Sequence, residues 1–245
     1  MAAKGDLAAV LGSLRPAPGG GGLVGADAAR CAAVLGFDGV AVSVTVGGQY
    51  NELLWASVGA STRLEDLQFT LGQGPGPDVA ASGRAVAAPD LTREPDDRWP
   101  ALLPEALALG IGAVFCLPLR AGTVCLGTMT LQRARPGPPR ERPPGDALLV
   151  AHALTAALVQ DGEQWDAFTA GENGSHFYRA AVHQAAGMIS VQADVPLAEA
   201  LVLLRAHAFR NGLPVVEVAE DVVARRVRFR QDDGDEPGAY GRQRD

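Results

Sequence analysis

Leu67-Gln68-Phe69-Thr70-Leu71-Gly72-Gln73-Gly74-Pro75, followed at once by Gly76, places three glycines at alternate positions. Gly72, Gly74 and Gly76 read as turn positions that need positive φ, a region glycine enters without steric cost. Beyond them, Asp78 to Gly83 reads as a helix and Ala85 to Leu91 as a strand ending in Pro89-Asp90-Leu91. Before them, Val40 to Val46 and Glu52 to Val58 are β-branched or apolar runs separated by Gly47-Gly48-Gln49-Tyr50-Asn51, which predicts two strands joined by a hairpin. A second pair, Ala113 to Arg120 and Thr123 to Arg133, flanks a two-residue Ala121-Gly122 connection, the spacing of an antiparallel hairpin. That loop sets Cys116 opposite Gly127 and brings Cys125 diagonally onto the same face. Small apolar cysteines filling a core are a far commoner outcome than a redox pair.

Helices are expected around these hairpins. Ala26 to Leu35 and Trp99 to Leu109 read as helical, and Ala147, Val150, Ala151, Leu154 and Leu158 repeat at helical spacing within Asp146 to Val159. Hairpins with helices before, between and after them fit an α+β fold, an antiparallel sheet covered by helices. Gly19 to Gly22 marks a linker after an N-terminal helix, in residues 1–25; no Gly-Lys-Ser/Thr follows it, so the cation of a phosphate loop is missing. Residues 26–160 form the first domain, 161–174 a connector, and 231–245 an acidic tail expected to be disordered.

The span 175–230 divides into three short helices. The first runs from about His176 to Val191 with Ser175 as N-cap; the second follows Asp194 as cap, takes Pro196 in its first turn and stops at Asn211-Gly212. The third starts near Pro214 and is expected to reach Arg225, Arg226, Arg228 and Arg230, complementing the negative end of the helix dipole. Leu197, Leu201, Leu204 and Ala208 define the core face of the second helix; Val215, Val218, Ala219 and Val222 define the matching face of the third. Together these readings give an α+β domain followed by an all-α three-helix module.

Apolar residues make up 47% and charged residues 20% of the 245-residue chain, enough to bury a core and too little charge for a disordered chain. The net charge of −7 is unevenly spread: residues 1–174 carry 12 basic and 18 acidic side chains, 175–230 carry 7 and 5, and 231–245 carry 2 and 5. Only the middle span can attract a polyanion, and its excess is small. No window of about 18 uninterrupted apolar residues occurs and the N-terminus lacks a signal pattern, so a cytoplasmic protein outside the membrane is expected. Cys31, Cys116 and Cys125 form neither a disulfide framework nor a zinc spacing. No Ser/His/Asp or Cys/His constellation is defensible from spacing, so no enzyme is expected, and no cofactor or metal site either.

The motif at Leu67 to Pro75 resembles the GAF sensory domain, in the subtype that bacteria fuse to ANTAR modules. The resemblance continues through Arg98-Trp99-Pro100, Leu109-Gly110-Ile111 and Leu117-Pro118-Leu119. It implies a regulatory domain with a six-stranded antiparallel sheet, flanking helices and either a small-molecule pocket or a dimerisation surface. Further on, Gln184-Ala185-Ala186-Gly187-Met188, Ala198-Glu199-Ala200, Leu203-Leu204-Arg205, His207-Ala208 and Val218-Ala219 resemble the ANTAR pattern at its usual spacing. That family binds paired hairpins in nascent transcripts, commonly as a homodimer, and favours an antiterminated RNA. It often carries lysine where Ala186 stands. RNA loops are read through splayed bases and phosphates, so small residues for close approach, arginines and flat rings are the expected contacts. Arg179, His183, Ala185, Gly187, Arg205, His207 and Arg210 are the candidates. The alternative is a ligand-binding sensor whose helical tail only oligomerises.

Overall fold

The computed structural model describes residues 2–15, 26–46, 50–138, 144–160 and 180–229. The glycine linker, the connector 161–174, the acidic tail, Ser175, His176, Arg179 and Arg230 lie outside the described residues. The chain divides into two compact units, Met1–Ala180 and Ala181–Asp245.

The first unit runs α1 (Ala2–Ser13), α2 (Ala28–Leu35), β1 (Gly39–Val46), β2 (Tyr50–Ala56), α3 (Ala60–Leu71), α4 (Pro75–Ser82), β3 (Val86–Ala88), a 3₁₀ turn (Leu91–Arg93), α5 (Leu102–Ala108), β4 (Ala113–Ala121), β5 (Val124–Arg133) and α6 (Pro144–Gln160). Its sheet is antiparallel, with the order β2-β1-β5-β4-β3. Among the described residues it has five strands where the resemblance implied six. Between α4 and β4 the strand content is the three-residue β3, which Pro89, lacking an N–H to extend the ladder, follows at once.

The opening motif explains how this unit is assembled. Gly72 ends α3 in the left-handed region (φ 64), and its N–H donates to the Gln68 carbonyl. Gly74 (φ 129) turns the chain so that Pro75 starts α4, where its missing N–H is no loss. Gly76 is different from expectation: it does not adopt positive φ. It lies close to α3 instead: a Cβ there would stand 3.1 Å from Gln68 Oε1 and press on that side chain.

One face of the sheet is apolar. Val40, Val42, Val44, Leu119, Met129 and Leu131 pack with Val10 of α1 and Leu14 just after it, Cys31 and Leu35 of α2, and Val150 and Leu154 of α6. The expected helical stripe on α6 is therefore the buried one. On the other side, Leu64, Ala88, Trp99, Leu102, Ala106, Ile111 and Val114 form a smaller cluster with α3 and α5.

The second hairpin departs from the expected register. Its turn is Gly122-Thr123, with Ala121 opposite Val124, and Leu126 bulges out between the Arg120–Cys125 and Leu119–Gly127 pairs. Cys116 consequently faces Thr130, not Gly127, and Cys125 sits opposite Arg120, four positions along the strand. The moved turn and the extra residue together slide the partner by three positions.

The second unit holds α7 (Ala180–Ala193), α8 (Leu197–Arg210) and α9 (Val215–Val223). Val182, Ala185, Ala186 and Ile189 of α7, Ala200, Leu201, Leu204 and Ala208 of α8, and Val215, Val218, Ala219 and Val222 of α9 are buried. Leu197, expected in the core, is exposed at the first position of α8, and Ala200 takes its place on the buried stripe. Asp194 is not the cap of α8: it turns left-handed (φ 51) just beyond α7, and Pro196 occupies the N-cap without a side-chain bond. α9 stops at Val223, short of the arginines. No single described helix is long and apolar enough to cross a membrane; α7 and α8 pass the length and hydropathy test only as a pair bent by 106°.

Candidate functional site

The face of the first unit's sheet opposite the apolar layer is lined by polar side chains. Ser43 on β1 and Thr128, Thr130 and Gln132 on β5 are all buried, and so are Ser57, Ser61, Glu65 and Gln68 on and before α3. The alternation Thr128-Met129-Thr130-Leu131-Gln132 produces this directly, because successive strand side chains point to opposite faces.

Two hydrogen-bond chains organise the layer. The Ser43 hydroxyl donates to Glu65 Oε2 at 2.7 Å, and Gln68 Nε2 donates to Glu65 Oε1 at 2.8 Å. Gln68 Oε1 in turn accepts the Gly76 N–H at 2.7 Å, which ties α3 to the start of α4. In the second chain, Gln132 Nε2 donates to Ser61 Oγ at 3.1 Å, and the Ser57 and Ser61 hydroxyls lie 2.9 Å apart. Gln132 Oε1 is buried and takes no hydrogen bond among the described residues. Trp99 Nε1 donates to Asp78 Oδ2 at 3.0 Å and the Ala101 N–H to Gln73 Oε1 at 3.1 Å, holding the Arg98-Trp99-Pro100 corner against α4 and the motif loop.

Of this layer, Gln68 falls within the opening motif, where it was given no role, and the other residues were not singled out from the sequence. The period-2 row on β5 was the available signal, but without the partner helix it reads equally well as a solvent-facing row. Two of the three thiols, Cys31 and Cys116, are buried. Burial, with a smaller contribution from Asp27, pushes Cys31 up to about 12, and burial raises Cys116 further still.

In the helical unit the candidates do not form one patch. At about 100° per residue, Arg205 and Arg210 stand about 140° apart around α8, on opposite flanks of its buried stripe. His207 shares the Arg210 flank. Its ring meets Phe229 edge-on at 5.3 Å, and burial, then the charge of Arg210, lower its pKa below the usual histidine value. His183 and Gly187 lie together on one side of α7, and a Cβ on Gly187 would meet nothing within 4 Å, so Gly187 is open rather than tightly packed. Ala185 is corrected: it is fully buried beneath the helices and supports the face instead of lining it. Arg205 and His183 are half-buried, and Arg210 is exposed.

Helices on both faces of an antiparallel sheet, with a polar layer beneath one set, make an α+β module. The chain belongs to the GAF domain family, whose model matches residues 26–160. A GAF domain is a small-molecule-sensing or dimerisation module. The fold is similar to that of the GAF domain from an Acinetobacter phosphoenolpyruvate-protein phosphotransferase, with 10% identity, 68% of this chain and 98% of that chain covered, and a TM-score of 0.50. It also matches the GAF domain of a phosphoenolpyruvate-protein phosphotransferase from Coxiella burnetii at 14% identity, covering 67% of this chain and 96% of that chain, with a TM-score of 0.48. Likeness at these identities speaks to fold alone. No curated protein matches the chain.

Proposed function

We propose that the protein is a non-enzymatic, cytoplasmic regulator that binds paired RNA hairpins in nascent transcripts and favours antitermination, with its GAF domain sensing a small molecule or mediating homodimerisation. The observation that carries this reading is the agreement between the ANTAR-like motifs and the packing of the helical unit. Ala185, Ala186, Ala200, Leu204, Ala208, Val218 and Ala219, all within those motifs, are buried, while His183, Gly187, Arg205, His207 and Arg210 reach the surface. Spacing that serves a three-helix core also leaves the arginines and histidines outside, where nucleic acid is met. On the sensor side, the polar layer with its spare Gln132 acceptor suits a small polar guest better than an apolar one.

Filter binding of the full chain to an RNA carrying two hexaloop hairpins tests the reading; saturable binding that weakens with salt is expected, and none at moderate salt overturns it.

A second reading, an oligomerising tail without RNA binding, is favoured by Val202 and Phe209, exposed at i, i+7 on α8. Phe209→Asp separates the two. Loss of the dimer in light scattering, for a wild-type chain that binds no RNA, supports the second.

A further inference from the structure

The described residues after α9 fold back onto the rest of the helical unit. α9 closes with a pair of bonds, Arg226 N–H to the Asp221 carbonyl at 2.8 Å and Arg225 N–H to the Val222 carbonyl at 2.9 Å, and Arg225 sits between them at φ 62. This is the Schellman arrangement, whose left-handed position is usually glycine. Helices α2, α3 and α4 of the same chain all use glycine there: Gly36, Gly72 and Gly83. An arginine at such a position costs conformational energy that glycine does not.

The reversed segment is then held at several points. The Arg226 guanidinium returns to Asp221 at 2.6 Å, the Phe229 N–H donates to Gln192 Oε1 of α7 at 3.0 Å, and the Phe229 ring rests on His207 of α8. Arg225 and Arg228 remain exposed. Charge is unevenly spread in the described part of this unit, although Asp221 of α9 pairs with Arg226 of the folded segment. Its acids, Asp194, Glu199, Glu217, Glu220 and Asp221, lie on α9 and around the start of α8, whereas the second half of α8 and the folded segment carry only Arg205, His207, Arg210, Arg225, Arg226 and Arg228.

We infer that Arg225–Phe229 is a nucleic-acid-contacting wing: the exposed Arg225 and Arg228 meet RNA phosphates, and the Phe229–His207 pair offers a platform for an unpaired base. The inference rests on the RNA reading above and names contact residues that reading lacks. It explains why a costly left-handed position holds a cation and why an aromatic ring is pinned beside Arg210. Unpaired bases stack on such rings, and arginines supply the backbone contacts.

The test uses the full chain and the two-hairpin RNA across a salt series. Arg225→Gly keeps the preferred backbone of the helix end, so it removes charge without threatening the fold. The pair Arg225→Gly with Arg228→Ala is expected to weaken binding roughly 10- to 100-fold and to flatten the salt slope by about 1 to 1.5, as two lost phosphate contacts to single-stranded RNA require. Phe229→Ala is expected to weaken binding roughly 5- to 100-fold at an unchanged salt slope, with Phe229→Trp restoring it. Arg93→Ala in the GAF unit serves as the control and is expected to change nothing. Wild-type chain that fails to bind RNA overturns the RNA reading and the wing with it. Wild-type binding that the wing variants leave within twofold overturns the wing alone.

Discussion

The two units of this chain place their polar residues in opposite locations. Among the described residues, the polar and charged residues buried as a whole all belong to the GAF unit, from Ser43 to Thr155, while the helical unit buries part of one, the Arg205 Nε. The helical unit instead packs alanine, valine, leucine and isoleucine inside, leaves Arg210, Arg225, Arg226 and Arg228 exposed, and half-buries His183, Arg205 and His207. A module that recognises a small guest needs hydrogen-bonding groups in its interior, where water does not compete. A module that recognises a polyanion needs them at its surface, over a core that only has to hold three helices together.

This contrast can be broken at its strongest point first. Leu204 is fully buried in the small helical core, so Leu204→Ala is expected to cost roughly 2–5 kcal/mol. Calorimetry is expected to show the transition of the helical unit lost or moved far down while that of the GAF unit stays in place. A shift in both would mean that the units do not unfold independently.

A smaller effect is expected within the sheet. Gly127 on β5 lies so close to β1 that a Cβ would stand 2.2 Å from the Ser43 carbonyl oxygen. Gly127→Ala must push the central strands apart, at roughly 1–3 kcal/mol in denaturant unfolding. Gln68→Ala probes the polar layer itself. It strands the Gly76 N–H and removes a donor from the Glu65 carboxylate, at about 1–3 kcal/mol. A neutral outcome would mean that water replaces the amide, and so that the layer is wet.

The smallest effect has the opposite sign. Arg225→Gly relieves a left-handed arginine and is expected to stabilise the helical unit by roughly 0.5–1 kcal/mol while weakening RNA binding. Stability and affinity moving in opposite directions would mark the position as one where function overrides conformational preference.

Much of the fold could be read from local pattern. Asp27, Gly36, Gly72 and Gly83 bound helices through their own caps, and the valines and alanines of α9 share one side by spacing alone. The candidate RNA face was legible in part: His207 and Arg210 do share a flank, while Ala185 proved to be core and Arg205 faces elsewhere. Helical spacing says which residues share a side, but not which side the neighbouring helices cover.

Local sequence thus determined the helices, the hairpins and the charge of each span, because 3.6- and 2-residue periods, glycine stops and proline starts act within a few residues of themselves. Tertiary structure decided the rest. The bulge at Leu126 and the register that sets Cys116 against Thr130 come from pairing between strands. The helices α3 and α4, laid over β1, β4 and β5, turn the row of Ser43, Thr130 and Gln132 into a buried layer. The return of Phe229 to His207 and Gln192 joins residues 22 and 37 positions apart. Contacts over such separations depend on what the rest of the chain has already packed, and no local period encodes them.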